Sequence, residues 1–186
     1  YIVIPQCNCQ FGSNEWSSGG YAPFAYTEKP SRYGQALEDL IEHLIATYQV
    51  DPRRIYVTGI SMGGGGAWDI AGRRPDLIAA AIPMSGHPLR ADDAARVMGA
   101  SKVPVWINQG EGDENNSIED TRRSVTAVNN AGGCATLSAY PKQADWRDID
   151  PGDAEAGNGG DINHTVWMRA YMNPELWPWV FSIQQP

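Results

Sequence analysis

The strongest hydrophobic periodicity in the chain lies between Ser31 and Tyr48, where apolar residues recur at three- and four-residue spacing. This spacing is typical of one face of an amphipathic helix. Ser31 or Pro30 is expected to begin the helix, and Asp51-Pro52 to end it. The apolar face consists of Leu37, Leu40, Ile41, Leu44, Ile45 and Tyr48, and the acidic residues Glu38, Asp39 and Glu42 are predicted to face away from it.

Four other segments have shorter or weaker helical patterns. The first is stopped by Pro75, and the third is opened by Asn116 or Ser117 and closed by Gly132-Gly133. These helices are predicted at residues 62–73, 91–99, 117–130 and 174–182.

Apolar and β-branched runs that alternate with these helices predict strands at residues 1–4, 54–58, 78–84, 103–108 and 135–140. Such alternation indicates parallel βαβ units, with strands buried on both faces. We therefore predict one α/β domain over residues 1–186, with a mostly parallel sheet flanked by helices on both faces. Residues 143–163 are acidic, rich in Gly and Asn and without periodicity, and they predict a long loop.

The first residues of the chain already have the pattern of a buried strand. We therefore expect the chain to be N-terminally incomplete, with further strands, and an additional segment or module, before Tyr1.

Composition narrows the choice of partners. A chain of 186 residues, 42% of them hydrophobic, is long enough to bury one core. Its formal net charge of −8 disfavours binding to nucleic acid or to an anionic membrane. No apolar run approaches the ~20 residues that span a bilayer. Many Trp, Gly, Asn and Pro residues with few Lys are compatible with a secreted enzyme, which is our expectation for localisation.

The segment 58–66, TGISMGGGG, joins a predicted strand to a predicted helix. Gly-x-Ser-x-Gly in this setting predicts a nucleophile elbow, in which Ser61 has strained backbone angles and the flanking glycines avoid Cβ clashes. The backbone N–H of Met62 would then face a developing oxyanion. The alternative is a Gly-rich turn or a phosphate-binding loop, but no Gly-Lys-Ser/Thr follows it.

Three chemically distinct residues follow three of the predicted strands. Ser61 follows 54–58, Asp113 follows 103–108, and His164 follows 135–140 by way of the long loop. Because parallel strands share one C-terminal edge, we expect the three to converge there. Their chain order, Ser then Asp then His, is that of α/β-hydrolases. An imidazole can take the proton of the serine hydroxyl, and a carboxylate can orient the imidazole.

Several residues compete for these roles. His43 lies on the polar face of the first helix and is expected at the surface. His87 also lies at the active edge but precedes the acid in sequence, so a pocket or structural role is favoured. Glu111 or Glu114 could replace Asp113 as the orienting acid. Trp16, Trp146 and Trp167 are candidates for lining a substrate pocket.

Cysteines and acidic loop residues give weaker indications. Cys7 ends a predicted strand and Cys134 begins one, so they should lie at opposite edges of the sheet, too far apart for a disulfide. Buried free thiols remain an equal alternative to bridges elsewhere. The run 148–153, DIDPGD, lacks the bidentate Glu of a calcium loop, and we expect no metal site.

Nearly the whole chain resembles the polyhydroxybutyrate-depolymerase and feruloyl-esterase-like branch of the α/β-hydrolases, which includes the "predicted peptidase" carboxylesterases. The resemblance is carried by DPRRIYVTGISMGG at 51–64, IVIPQC at 2–7, AWD at 67–69, RPD at 74–76 and PELWPW at 174–179. It implies Ser61 as nucleophile, Asp113 as the acid and His164 as the base. The chain lacks the upstream strand and oxyanion loop of that branch, and Asn108-Gln109-Gly110 replaces a frequent His-Gly pair.

The favoured function is a serine carboxylesterase that hydrolyses short-chain acyl or aryl esters, small or polymer-borne, through an acyl-enzyme and without metal or organic cofactor. A peptidase of the prolyl-oligopeptidase type is the first alternative. The second is a non-catalytic binding module on a degenerate hydrolase fold.

Overall fold

The fold is taken from a computed structural model, which describes residues 1–6, 16, 25–143 and 161–186. Six α-helices lie in these ranges: α1 (Arg32–Thr47), α2 (Met62–Arg73), α3 (Ala91–Ser101), α4 (Ile118–Asn130), α5 (Trp167–Tyr171) and α6 (Leu176–Ser182). A 3-10 turn, Pro52–Arg54, precedes the sheet. The four described strands are β1 (Tyr56–Ile60), β2 (Ala80–Met84), β3 (Val105–Gly110) and β4 (Ala135–Tyr140).

The sheet is parallel, in the order β1-β2-β3-β4. Ile60 pairs with Met84, and Met84 pairs with Asn108, so the strands end close together at one edge. The residues that follow these strands therefore meet there, as the sequence predicted. The predicted α/β class with a parallel sheet is confirmed.

Two hydrophobic cores cover opposite faces of the sheet. In β3, Val105 and Ile107 point into the core beneath α1–α4, whereas Trp106 between them points into the core beneath α5 and α6. Residues of β2 and β3 are buried throughout, but β1 and β4 have exposed positions. Burial on both faces is thus confirmed for the central strands and wrong for the outer ones.

The strand predicted at 1–4 is wrong. Residues 1–6 have no regular secondary structure and are all exposed, with Ile2 91% accessible. A strand needs a hydrogen-bonded neighbour, and none of the described strands pairs with this segment. The predicted strand at 54–58 begins two residues later because Pro52–Arg54 forms the 3-10 turn.

The helix predictions hold with one addition. Side chains of Ser31 and Ser117 cap α1 and α4, as two of the predicted starting points required. The C-terminal helix predicted at 174–182 is shorter and is preceded by α5, which the sequence did not predict. A helix of five residues is too short to show a hydrophobic period.

Glu38 was predicted to face away from the core, and this is wrong. It is buried between α1 and α2, where its carboxylate lies 3.3 Å from the guanidinium of Arg74 and 4.0 Å from that of Arg73. These two basic partners, at the C-terminal end of α2, compensate for the burial of the acid. Periodicity within α1 does not reveal them.

Some sequence-based predictions lie outside the described residues. These are the predictions for Cys7, Cys9, Trp146 and the run 148–153. Cys134 is described, and its thiol is free and exposed, so the alternative of a buried thiol is wrong there. Within the described ranges, no helix is both long and apolar enough to cross a membrane.

Candidate active site

Ser61 lies in a strained turn between β1 and α2. Its φ of 53° and ψ of −115° fall outside the backbone regions that non-glycine residues favour. Its backbone N–H donates to the carbonyl oxygen of Met84 at 2.8 Å. A Cβ on Gly59 would lie 2.1 Å from the carbonyl oxygen of Gly63, so this glycine is required. A Cβ on Gly63 would meet nothing within 4 Å, so the predicted clash at the second glycine of the motif is wrong.

His164 bridges the hydroxyl of Ser61 and the carboxylate of Asp113. Its Nε2 lies 2.9 Å from Ser61 Oγ, and its Nδ1 lies 3.0 Å from Asp113 Oδ2. The side chain of Asp113 is fully buried, and that of His164 is 14% exposed. The predicted convergence of the three residues is confirmed. Such an arrangement allows the imidazole to take a proton from the hydroxyl while the carboxylate holds its other nitrogen.

The buried carboxylate of Asp113 is held by its own turn. Its Oδ1 accepts hydrogen bonds from the backbone N–H groups of Asn115 and Asn116, both at 2.9 Å, which leaves Oδ2 for the imidazole. Of the two alternatives, Glu111 is exposed and pairs with Arg122 at 2.6 Å, and Glu114 is also exposed. The structure therefore places Asp113, and neither glutamate, against His164.

Asn116 connects this turn to the interior of the sheet. Its backbone carbonyl accepts a 2.6 Å hydrogen bond from Gln109 Nε2. Its side-chain amide donates to the backbone carbonyl of Ser85 at 2.7 Å. Thr121 Oγ1 donates to Gln109 Oε1 at 2.6 Å. The side chains of Gln109, Asn116 and Thr121 are buried, so a buried polar network anchors the turn that carries Asp113.

Met62 is the first residue of α2, directly after Ser61. The first intrahelical hydrogen bond runs from Gly65 N–H to the Ser61 carbonyl, at 3.2 Å. The N–H of Met62 therefore lies among the helix-terminal donors that have no intrahelical acceptor. It directly follows Ser61 in the chain, and its role as an oxyanion donor stays a prediction.

His87 lines a depression of about 390 Å³ on the acid side of the site, together with Asp113, Glu114, Asn115, Ser117, Ile118 and Asp120. Ser61 and His164 do not line this depression, so the role of His87 in a substrate pocket stays a prediction. Burial lowers the pKa of His87 below its usual 6.5, an effect that His164 reinforces and that Asp113 and Asp120 oppose.

The two predicted tryptophans that are described lie in different places. The ring of Trp167 stands edge-on to the His164 imidazole, with centroids 6.1 Å apart. Trp16 packs beside Tyr33 and over Gly66 of α2. Trp167 is thus next to the catalytic candidates, whereas Trp16 borders the helix that follows the serine.

Sequence reasoning missed Asp161 and Asn163, which hold the turn before His164. The Asn163 side chain makes two hydrogen bonds to the backbone of Gln143, from Gln143 N at 2.7 Å and to Gln143 O at 3.2 Å. The Asp161 carboxylate accepts backbone hydrogen bonds from this turn and from the Asp113 turn. Proximity to His164 within the acidic loop was the one signal that could have drawn attention to them.

A parallel sheet with this serine turn and this Ser–His–Asp arrangement defines an α/β-hydrolase. The chain belongs to the dienelactone hydrolase family, whose family model matches residues 22–145. That match contains Ser61 and Asp113, and His164 lies beyond it.

Individual relatives support the same class. The chain is 33% identical over 92 residues to poly(3-hydroxyalkanoate) depolymerase C of Paucimonas lemoignei, a match that covers 48% of this chain and 21% of that protein. It is 27% identical over 150 residues to protein usf of Aquifex pyrophilus, covering 67% of this chain and 63% of that protein. The chain thus spans less than two thirds of either relative.

A solved structure agrees with these relatives. The crystal structure of a thermostable esterase superposes with a TM-score of 0.68 at 29% sequence identity, covering 84% of this chain and 38% of that chain. The resemblance to carboxylesterase-like α/β-hydrolases, stated from the sequence, is confirmed.

Proposed function

We propose that this protein is a serine carboxylesterase that hydrolyses short-chain acyl or aryl esters through an acyl-enzyme. The observation that carries the proposal is the position of the His164 imidazole, 2.9 Å from the Ser61 hydroxyl and 3.0 Å from the Asp113 carboxylate. Ser61 is the nucleophile, His164 the general base and acid, and Asp113 the group that orients the imidazole.

The acylation half-reaction follows from this geometry. Ser61 Oγ attacks the ester carbonyl carbon while its proton passes to His164 Nε2. The carbonyl oxygen becomes an oxyanion, and the Met62 N–H stabilises it. The tetrahedral species then collapses, the C–O bond to the alcohol breaks, and the leaving oxygen takes the proton from Nε2.

Deacylation repeats these steps with water. His164 Nε2 accepts a proton from water as its oxygen attacks the acyl carbon, and the bond to Ser61 Oγ then breaks. The proton returns to Ser61, and the carboxylic acid leaves. No redox partner enters this balance, and the residues named above perform each proton transfer.

Ester rather than peptide substrates are favoured by the relatives. One is named a poly(3-hydroxyalkanoate) depolymerase, and a similar structure is titled a thermostable esterase. Both names refer to cleavage of esters. We propose that the substrate is a small or polymer-borne ester.

The experiment compares wild type with Ser61→Ala on p-nitrophenyl acetate and on matched peptide p-nitroanilides, and measures labelling by a fluorophosphonate through intact mass. We expect ester turnover and one added phosphonyl group in the wild type. In Ser61→Ala we expect no label and a kcat lower by roughly 10⁴-fold or more. Faster turnover of the peptide would favour the peptidase alternative, and absence of label in the wild type would favour a non-catalytic module.

A further inference from the structure

Asp161 joins two turns that come from distant parts of the chain. Its Oδ2 accepts a hydrogen bond from the backbone N–H of Glu114 at 2.8 Å, directly beside Asp113. Its Oδ1 accepts from the N–H of Asn163 at 2.9 Å, directly before His164. One carboxylate therefore holds the neighbours of both Asp113 and His164.

The backbone of Asp161 also shapes the histidine turn. Its carbonyl oxygen accepts hydrogen bonds from the N–H groups of His164 at 3.0 Å and Thr165 at 3.2 Å. The residue thus fixes the local conformation of this turn through its carbonyl, and the position of the turn relative to the acid through its carboxylate.

The placement matters because the acid and the base have separate supports. Asp113 is held by the end of β3 and the network around Asn116. His164 follows β4 by more than 20 residues, and its turn is fastened at the other side by Asn163 to Gln143. The 3.0 Å contact between Asp113 and His164 therefore depends on the position of one support relative to the other.

We propose that Asp161 is a positioning residue for the reaction, which sets the distance between His164 and Asp113 without touching substrate. This inference rests on the proposed hydrolase function. An ionised carboxylate suits the role since it offers acceptors to both N–H groups, and charge-assisted hydrogen bonds of this kind are stronger than neutral ones. An amide at the same place has one acceptor, and its NH₂ would face one of the two N–H donors.

The test uses Asp161→Asn and Asp161→Ala, with Asp51→Asn and Asp51→Ala as matched controls. Asp51 also accepts from the N–H two residues ahead of it, at 3.0 Å, but it lies at the 3-10 turn before β1 and holds no second turn. The measurements are kcat and KM for p-nitrophenyl acetate, the rate of fluorophosphonate labelling, and Tm, with kinetics taken well below the lowest Tm.

We expect both Asp161 variants to lose about 10- to 100-fold in kcat, because small misplacements of catalytic groups have effects of this size. KM should stay within about twofold, since a group that makes no substrate contact affects chiefly the chemical step. The labelling rate should fall in parallel with kcat. Asp51 variants should keep wild-type kinetics.

A lower Tm with wild-type kcat and labelling would overturn the proposal, since Asp161 would then be only structural. Failure of both variants to fold would overturn it as well, because the residue would hold the domain rather than the site. A wild-type enzyme that neither hydrolyses the ester nor takes the label would instead refute the proposed function, independently of Asp161.

Discussion

Gly64 and Gly86 pack backbone against backbone where α2 crosses the end of β2. A Cβ on Gly86 would lie 2.5 Å from the carbonyl carbon of Gly64, and a Cβ on Gly64 would lie 2.9 Å from the Cα of Gly86. This close approach lets the first turn of α2 rest on the segment after β2, where Met84 accepts the hydrogen bond from Ser61. The serine is thus placed by two glycines outside the Gly-x-Ser-x-Gly motif.

Gly86→Ala should therefore displace the turn at Ser61. We expect a loss of about 1–3 kcal/mol in the free energy of unfolding, the usual cost of overpacking, or more because the clash is with backbone. The kcat should fall by at least about tenfold as the hydroxyl moves away from His164. Urea unfolding and ester kinetics measure the two effects.

Gly63→Ala is the matched control for that substitution. The added methyl meets nothing within 4 Å, and alanine is the better helix former at this position in α2. The free energy of unfolding should be unchanged or higher by up to about 1 kcal/mol. A variant as unstable as Gly86→Ala would show that the packing described here is wrong.

Asp113→Asn should reduce activity while the fold is kept. The amide oxygen can still accept from Asn115 and Asn116, but the NH₂ would then donate to His164 Nδ1. His164 would carry its proton on Nε2 and could no longer accept one from Ser61. We expect kcat to fall by roughly 10⁴-fold, with KM little changed.

The control for this substitution is Glu114→Gln, which alters an exposed carboxylate in the same turn. It should retain the wild-type kcat because Asp113, and not Glu114, forms the hydrogen bond to His164. Substantial activity in Asp113→Asn, or equal losses in the two variants, would contradict the assigned acid.

The ion pair between Asp69 and Arg73 should matter more for stability than the other ion pairs. Two hydrogen bonds, of 3.1 and 3.2 Å, join the side chains, which are 2% and 6% exposed. Asp69→Asn leaves the guanidinium buried without this counterion, and we expect a loss of about 3 kcal/mol in the free energy of unfolding.

Chemical denaturation checks this value, with Asp51→Asn at the exposed pair with Arg53 as control. The control should unfold like the wild type. An Asp69→Asn variant as stable as the wild type would mean that Glu38 and the backbone carbonyls around Arg73 satisfy it on their own.

The sequence predicted those parts of the fold that depend on local pattern. The runs that became β2 and β3 are apolar and short, and the Ser31 and Ser117 caps are local signals as well. The convergence of Ser61, Asp113 and His164 followed from the common edge of a parallel sheet.

What escaped prediction depends on contacts between distant segments. Glu38 is buried beside Arg73 and Arg74, at the C-terminal end of α2, and nothing in the period of α1 reports this. Residues 1–4 have a strand-like composition, but pairing decides whether a strand forms. The side chains of Asp161 and Asn163 bind to backbone groups of distant residues, and these partners carry no sequence signature.

His87 gives a prediction about pH, because burial lowers its pKa in the folded protein below the usual 6.5. The unfolded chain then binds a proton at higher pH than the folded chain does. Stability from this group is complete above about pH 6.5, declines as the pH falls from there toward the folded-state pKa, and is constant below that value.

Replacing His87 with Gln should remove this decline. We expect the Tm of the wild type to fall more than that of His87→Gln between about pH 7.5 and pH 5.5, with the difference developing below about 6.5. Differential scanning calorimetry in matched buffers measures it, and His43→Gln, at an exposed position of α1, controls for loss of an imidazole at the surface. Parallel curves for the wild type and His87→Gln would mean that Asp113 and Asp120, whose charges favour the protonated imidazole, cancel the effect of its burial.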